Sequence, residues 1–139
     1  MSIWQDYKLA QKIEEILRKD AGRYKPHHLG HPYMSAYQIA LALKEAYPEI
    51  FKAIHMPLGG KDTKKHSSFS QYVGRQLSQH IKAGEMPNIE GGFLSITYID
   101  KIEFSNGGDE IRSSVIGGNY PLSIFRWKGD APKDFSIDS

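Results

Sequence analysis

The stretch Ser68–Lys82, with the sequence SFSQYVGRQLSQHIK, indicates how this chain folds. Ser68 followed by Gln71 fits a capping box, in which each side chain hydrogen-bonds the other residue's backbone N–H at a helix start. Apolar residues then recur every three or four positions, which is the spacing of a helix with one buried face. They are Phe69, Tyr72, Val73, Leu77 and Ile81. The pattern predicts a helix over 69–82 whose opposite face is polar.

The Ser-x-x-Gln pattern also occurs at Ser2 and Ser35, and each occurrence predicts another helix. The first is expected over residues 3–20. Its apolar stripe needs a partner, either the rest of the domain or a second copy of the chain in a homodimer. The second begins at Ser35 and ends before Pro48, which is well placed to begin a short helix over residues 48–54. With the helix described above, this makes four.

The hydrophobic pattern changes from Ile89 onward. Branched and aromatic residues over 93–104, 110–116 and 122–127 are typical of strands. Glycine-rich turns separate them, and the first turn favours a hairpin. We therefore expect an α+β fold, with four N-terminal helices followed by a three-stranded antiparallel β-meander.

The length of 139 residues corresponds to one domain. We assign residues 1–22 to an N-terminal helix packed on an α+β domain of residues 35–128. Residues 129–139 are acidic and polar, and we expect them to form a flexible tail.

Composition excludes several classes of protein. The chain has no cysteine, which excludes disulfide scaffolds, thiol catalysis and thiolate zinc sites. No apolar run approaches the ~20 residues of a membrane span, and the first residues lack the order of a signal peptide, so we expect a cytoplasmic protein. Neither a phosphate-binding P-loop nor a GxSxG nucleophile motif occurs. We expect a protein that is not an enzyme and needs no cofactor.

Charge is unevenly spread along the chain. Residues 1–84 contain thirteen Lys and Arg against seven Asp and Glu, whereas residues 85–139 contain five against nine. This asymmetry indicates either a polyanion-binding half or an ordinary solvated surface.

The order of helix, short helix, loop, capped helix and hairpin over residues 35–127 resembles the winged helix-turn-helix superfamily. The resemblance lies in the order of elements and covers about two thirds of the chain. In that superfamily the third helix enters the DNA major groove and the hairpin forms the wing. The resemblance implies a DNA-binding regulatory or accessory protein, with helix 69–82 reading base edges and the basic loop before it contacting phosphates. The implied nucleic-acid-binding residues are Lys61, Lys64, Lys65, His66, Ser70, Gln71, Arg75, Ser78, Gln79 and Lys82.

The acids of the meander favour a second hypothesis. Carboxylates at a wing tip repel phosphate, but on an exposed sheet they suit a basic protein partner. The alternative is a small adaptor or inhibitor, similar to an immunity or antitoxin protein, that docks through this surface. Its interface residues would be Asp100, Glu103, Asp109, Glu110 and Trp127.

Three histidines lie close together in the connector before the second helix, at His27, His28 and His31. Metal binding needs imidazoles that converge on one point. Because Pro26 and Pro32 flank them and no helix is expected there, we predict a polar loop without a metal.

Overall fold

The computed structural model describes residues 2–58, 68–114 and 122–137 of the chain. The helices in these ranges are α1 (Ile3–Asp6), α2 (Leu9–Gly22), α3 (Ala36–Ala46), α4 (Pro48–Ile54) and α5 (Phe69–Lys82). The strands are β1 (Met34–Ser35), β2 (Ile89–Leu94), β3 (Lys101–Asn106), β4 (Asp109–Ser114) and β5 (Leu122–Trp127). The α+β class is confirmed, and the described part of the chain has five helices where four were expected.

Complete capping boxes begin the two central helices. At the start of α3, the Ser35 Oγ accepts from the Gln38 N–H at 3.2 Å, and the Gln38 Oε1 accepts from the Ser35 N–H at 2.8 Å. At the start of α5, the corresponding distances between Ser68 and Gln71 are 3.0 and 3.3 Å. These local signals predicted both helix starts correctly because they depend on residues only three positions apart.

The predicted helix over 3–20 is broken in two. Lys8 has a φ of 52° and lies in the left-handed region, between the end of α1 and the start of α2. In a continuous helix, Trp4 would lie about 140° around the axis from Leu9, because each residue turns the helix by about 100°. The break lets both side chains be buried, with exposures of 4% and 1%.

The core lies between α2, α3, α5 and the inner face of β5. Its buried side chains are Leu9, Ile13 and Leu17 from α2, Ile39, Ala40 and Leu43 from α3, Val73 and Leu77 from α5, and Phe125 from β5. The apolar stripe of α2 is thus covered by its own chain. The buried side chains of this stripe are therefore not available as the homodimer surface that the sequence analysis considered.

The strands form two sheets instead of one meander. In the larger sheet, β5 is the central strand and pairs antiparallel with β1 on one side and β2 on the other. β1 has only two residues, and no pattern in the sequence predicted it. The strand predicted over 93–104 is interrupted, because residues 95–100 form no strand. Ser95 Oγ accepts from the Thr97 N–H at 3.3 Å, and such local side-chain bonds compete with a sheet ladder.

The second sheet is the hairpin of β3 and β4, whose register runs from Lys101 opposite Ser114 to Asn106 opposite Asp109. Gly107, with a φ of 62°, forms its turn, as predicted from the sequence. The expected meander is wrong because β5 pairs with β1 and β2 and not with β4.

The described part of the tail lies against the end of α2. The backbone N–H groups of Asp134 and Phe135 donate to the carbonyl of Gly22 at 3.0 and 2.9 Å. A Cβ on Gly22 would clash with the carbonyl oxygen of Pro132, so glycine permits this close approach. The described part of residues 129–139 is thus hydrogen-bonded to a helix end through its backbone, and the flexibility of this tail stays a prediction.

None of the helices in the described ranges has the length and apolar character needed to cross a bilayer.

Candidate nucleic-acid interface

The exposed face of α5 carries most of the side chains that the sequence predicted there. Its buried residues, Phe69, Val73 and Leu77, face the core. The polar side chains exposed on the other side are Gln71, Arg75, Ser78, Gln79 and Lys82. Between residues 71 and 82 they extend over about 16 Å of helix, at about 1.5 Å per residue.

Ser70 was predicted to lie on that face, and this prediction is wrong. Ser70 is 1% exposed, and its hydroxyl donates to the carbonyl of Leu58 at 2.6 Å. The backbone N–H of Phe69 also donates, to the carbonyl of Pro57 at 2.7 Å. The hydroxyl of Ser70 therefore ties the first turn of α5 to the preceding segment and does not face a ligand.

Gln71 has a structural role as well as an exposed position. Its side-chain oxygen accepts from the Ser68 N–H at 3.3 Å and closes the capping box. The side-chain amide nitrogen is then the group that can reach outward. Gln71 is therefore suited to donate a hydrogen bond to a phosphate or a base edge, and less suited to the two-bond contact that a free Gln makes with adenine.

The exposed face of α5 carries no acidic side chain from the helix itself. No Asp or Glu occurs between Asp62 and Glu85, whereas α2 carries Glu14, Glu15 and Asp20. Both α2 and α5 have fourteen residues and one buried face. They differ in their solvent-exposed side chains, because α2 carries acidic residues and α5 carries none.

At the C-terminal end of α5, His80 is held by its own chain. The Nδ1 of His80 donates to the Glu85 carboxylate at 2.9 Å. Its ring stacks on Trp4 with 5.0 Å between ring centroids and 6° between ring planes. His80 thus belongs to the contact between α1 and α5, beside the exposed polar face.

Four of the predicted contacts, Lys61, Lys64, Lys65 and His66, lie outside the described residues. The nearest described residue after them is Ser68, which caps α5.

The hairpin is attached to α3 by polar and aromatic contacts. The Nζ of Lys44 lies 2.6 Å from Asp109 Oδ1, and both side chains are about one third exposed. About two turns of the helix away from the first contact, Tyr37 stacks on Phe104 with 5.4 Å between the ring centroids. The side-chain amide of Asn106 donates to Glu45 at 2.9 Å. Sequence reasoning missed this attachment, since the Lys44–Asp109 pair joins residues 65 positions apart.

The acids of the alternative interface do not share one surface. Side chains alternate across a strand, so Asp109 faces α3 while Glu103 and Glu110 face the other side of the hairpin. Trp127 lies in the other sheet, where its Nε1 donates to the Asp130 carbonyl at 2.8 Å. Asp100 is exposed just before β3.

The connector histidines do not converge. The rings of His27 and His28 stack with centroids 4.4 Å apart, while the Nε2 of His31 donates to the Gly129 carbonyl at 2.8 Å. Among the described residues, no group of three or more His, Cys, Asp or Glu side chains is arranged to hold a metal ion.

The chain was compared with protein-family models, with curated proteins and with solved structures, and nothing matched it in any of the three.

Proposed function

We propose that this chain is a non-enzymatic DNA-binding protein of winged-helix type, which contacts DNA through the exposed face of α5 and the basic loop before it. The observation that carries the proposal is the acid-free polar face of α5, with Arg75 and Lys82 exposed on it. These two cations lie seven residues apart, which corresponds to two turns and about 10 Å along the helix. A helix with this surface suits a groove lined by phosphates.

The order of the elements gives further support. Without the hairpin of β3 and β4, the elements that follow α2 are β1, α3, α4, α5, β2 and β5. The strands of the larger sheet lie in the order β1, β5, β2. Helix α5 packs through its buried face on the same core as α3. The long connection between β2 and β5 contains the hairpin of β3 and β4, which would be the wing in this proposal.

The proposed mode of contact follows from the side chains. The major groove of B-DNA is about 12 Å wide and accepts an α-helix. Arg75 and Lys82 would bond guanine edges or phosphates, and Gln79 would bond adenine. Phosphate contacts set affinity and register, and base contacts set sequence preference.

The Lys44–Asp109 contact weakens an objection to this proposal. A carboxylate at the tip of a wing repels phosphate, but the charge of Asp109 is paired with Lys44 at 2.6 Å. The rival proposal, a protein-binding adaptor that docks through its acids, has less support because those acids lie on two faces of the hairpin.

The decisive experiment is DNA binding by fluorescence anisotropy at low salt, using a labelled duplex of mixed sequence. The variant Arg75→Glu/Lys82→Glu should lose affinity by more than about 10-fold and reduce the salt dependence by about two counterions. The matched control, Lys19→Glu/Lys133→Glu, makes the same charge change at two other exposed lysines. All three proteins should have the same circular dichroism spectrum. Equal losses in both double variants, or none in the first, would contradict the proposal.

A further inference from the structure

A cleft of about 370 Å³ lies between the connector before β1 and strand β5. Small-molecule sites typically have volumes of about 300–1,000 Å³. Phe125 is buried in the core, so the alternation of side chains places its neighbour Arg126 on the outer face of the sheet, where it lines the cleft. The cleft is thus separate from the exposed face of α5.

Arg126 is held in one orientation from three sides. Its Nε donates to Glu90 Oε2 at 2.7 Å, and its Nη1 donates to the Leu29 carbonyl at 2.8 Å. The guanidinium carbon lies 4.6 Å from the centre of the Tyr33 ring. The hydrogen bonds that Arg126 makes with the described residues use Nε and Nη1, which leaves Nη2 available to a ligand. A planar cation fixed in this way loses little conformational entropy when it binds an anion.

The connector is shaped around this guanidinium. Gly30 has a φ of 99°, and a Cβ at this position would come within 2.8 Å of Arg126 Nη1. Its backbone N–H closes a turn by donating to the His27 carbonyl at 3.0 Å. A side chain at position 30 would displace the Arg126 guanidinium, so the observed position of Arg126 depends on a glycine at position 30.

The net charge around the cleft is positive. Glu90 balances Arg126, and two lysines remain, Lys25 on the cleft wall and Lys128 in an adjoining hollow of about 320 Å³ that also contains Arg126. Both lysines are exposed and form no ion pair with an acid in the described residues. The rest of the cleft wall includes Tyr24 and Leu29, which is 70% exposed.

From these contacts we propose that the cleft binds a small planar organic anion, namely an aromatic ring that bears a carboxylate or a phosphate. The ring would pack on Tyr24 and Leu29, and the anionic group would accept from Arg126 Nη2 and from Lys25. Charge-assisted hydrogen bonds to a fixed arginine recognise both carboxylates and phosphates. This assignment does not depend on the proposed DNA contact.

The test is an NMR titration of the full chain, observing the Arg126 Nε and Trp127 Nε1 signals. The probes are salicylate, for an aromatic carboxylate, and adenosine monophosphate, for a nucleotide. Salicylamide and adenosine are their neutral counterparts. At least one anion should give saturable shifts at both signals with a Kd of about 1 mM or lower, and its neutral counterpart should bind at least about 10-fold more weakly. The anion that binds identifies the ligand class.

Two variants locate the site. Lys25→Gln should weaken binding several-fold, and Arg126→Lys should weaken it more because an ammonium lacks the planar fork. Lys19→Gln, an exposed lysine on α2, is the matched control and should bind like the parent chain. The proposal is overturned if neither anion gives saturable shifts with a Kd of about 1 mM or lower, if the neutral probes bind equally well, or if Lys25→Gln retains full affinity.

Discussion

The ammonium nitrogen of Lys44 on α3 lies 2.6 Å from a carboxylate oxygen of Asp109 at the turn of the hairpin. With the Tyr37–Phe104 stack, it holds a two-stranded sheet that pairs with no other strand among the described residues. Two-stranded hairpins are marginal alone in water. The attachment to α3 therefore keeps this hairpin in place.

Breaking this ion pair should loosen the hairpin. Lys44→Met should reduce the free energy of unfolding by about 1 kcal/mol, since the pair is partly shielded from water and shares a hydrogen bond. The measurement is urea unfolding in a double-mutant cycle with Asp109→Asn, which should give a coupling energy of about 0.5–1 kcal/mol. The cycle of Lys19→Met and Glu15→Gln tests a more exposed pair at 3.7 Å and should give a coupling close to zero. Equal couplings in the two cycles would show that the hairpin is held by its other contacts.

The hydroxyl of Tyr72 accepts from the backbone N–H of Trp4 at 3.0 Å, at a helix start where this N–H has no partner within the helix. Tyr72→Phe should therefore reduce stability by about 1 kcal/mol. Thermal unfolding followed by circular dichroism measures this loss. Tyr98 is fully exposed, so Tyr98→Phe makes the same chemical change without a partner to lose and should leave the melting temperature unchanged. Equal effects at the two positions would show that the bond to Trp4 adds nothing to stability.

The sequence correctly predicted those structural features that depend on residues close together in the chain. The boxes at Ser35 and Ser68 fixed two helix starts, and the glycine turn at 107 fixed the hairpin. The same local signals predicted one continuous helix over 3–20. Helical spacing does not show that Trp4 and Leu9, which would lie on different faces of a continuous helix, are both buried in the core. Local signals describe one element at a time, so an error appears where two elements share the core.

The pairing of distant segments could not be predicted in this way. β1 is a strand only because Met34 and Ser35 lie beside Phe125 and Ile124 of β5. The candidate face of α5 followed from helical spacing, except that Ser70 bonds Leu58. The cleft at Arg126 had no sequence signal, since its two walls are about a hundred positions apart, as in the bond between Arg126 and Leu29.

Gly22 allows the tail to lie against α2. Gly22→Ala should destabilise the chain by about 2 kcal/mol or more, because the added Cβ meets the carbonyl oxygen of Pro132 and the tail must move. Urea unfolding measures the change. Gly108→Ala is the control, since a Cβ there meets nothing within 4 Å.

A shortened chain shows whether the tail causes this loss. After removal of residues 131–139, the clash with Pro132 no longer exists. Gly22→Ala should then be neutral or slightly stabilising, because alanine has the higher helix propensity. A loss that persists without the tail would place the strain within α2 itself.

Asp20 makes stability depend on pH in an unusual direction for an acid. Burial raises the pKa of its carboxyl above the ordinary value of 3.8, and Arg23, 3.6 Å away, offsets only part of this effect. The folded chain therefore holds the Asp20 proton more tightly than the unfolded chain. The contribution of Asp20 is most favourable below pH 3.8 and becomes less favourable as the pH rises through the raised pKa.

Asp20→Asn should accordingly stabilise the chain at pH 7 and have little effect near pH 3, as measured by urea unfolding at both values. Glu15 provides the opposite case, since the hydrogen bond from Arg18 lowers the pKa of its carboxyl. A group with a lowered pKa stabilises the fold above its ordinary pKa and loses that contribution in acid. Glu15→Gln should therefore slightly destabilise the chain at pH 7. The change is small because the pair is exposed to solvent. If the two variants change stability with the same sign at pH 7, burial of Asp20 does not control its ionisation.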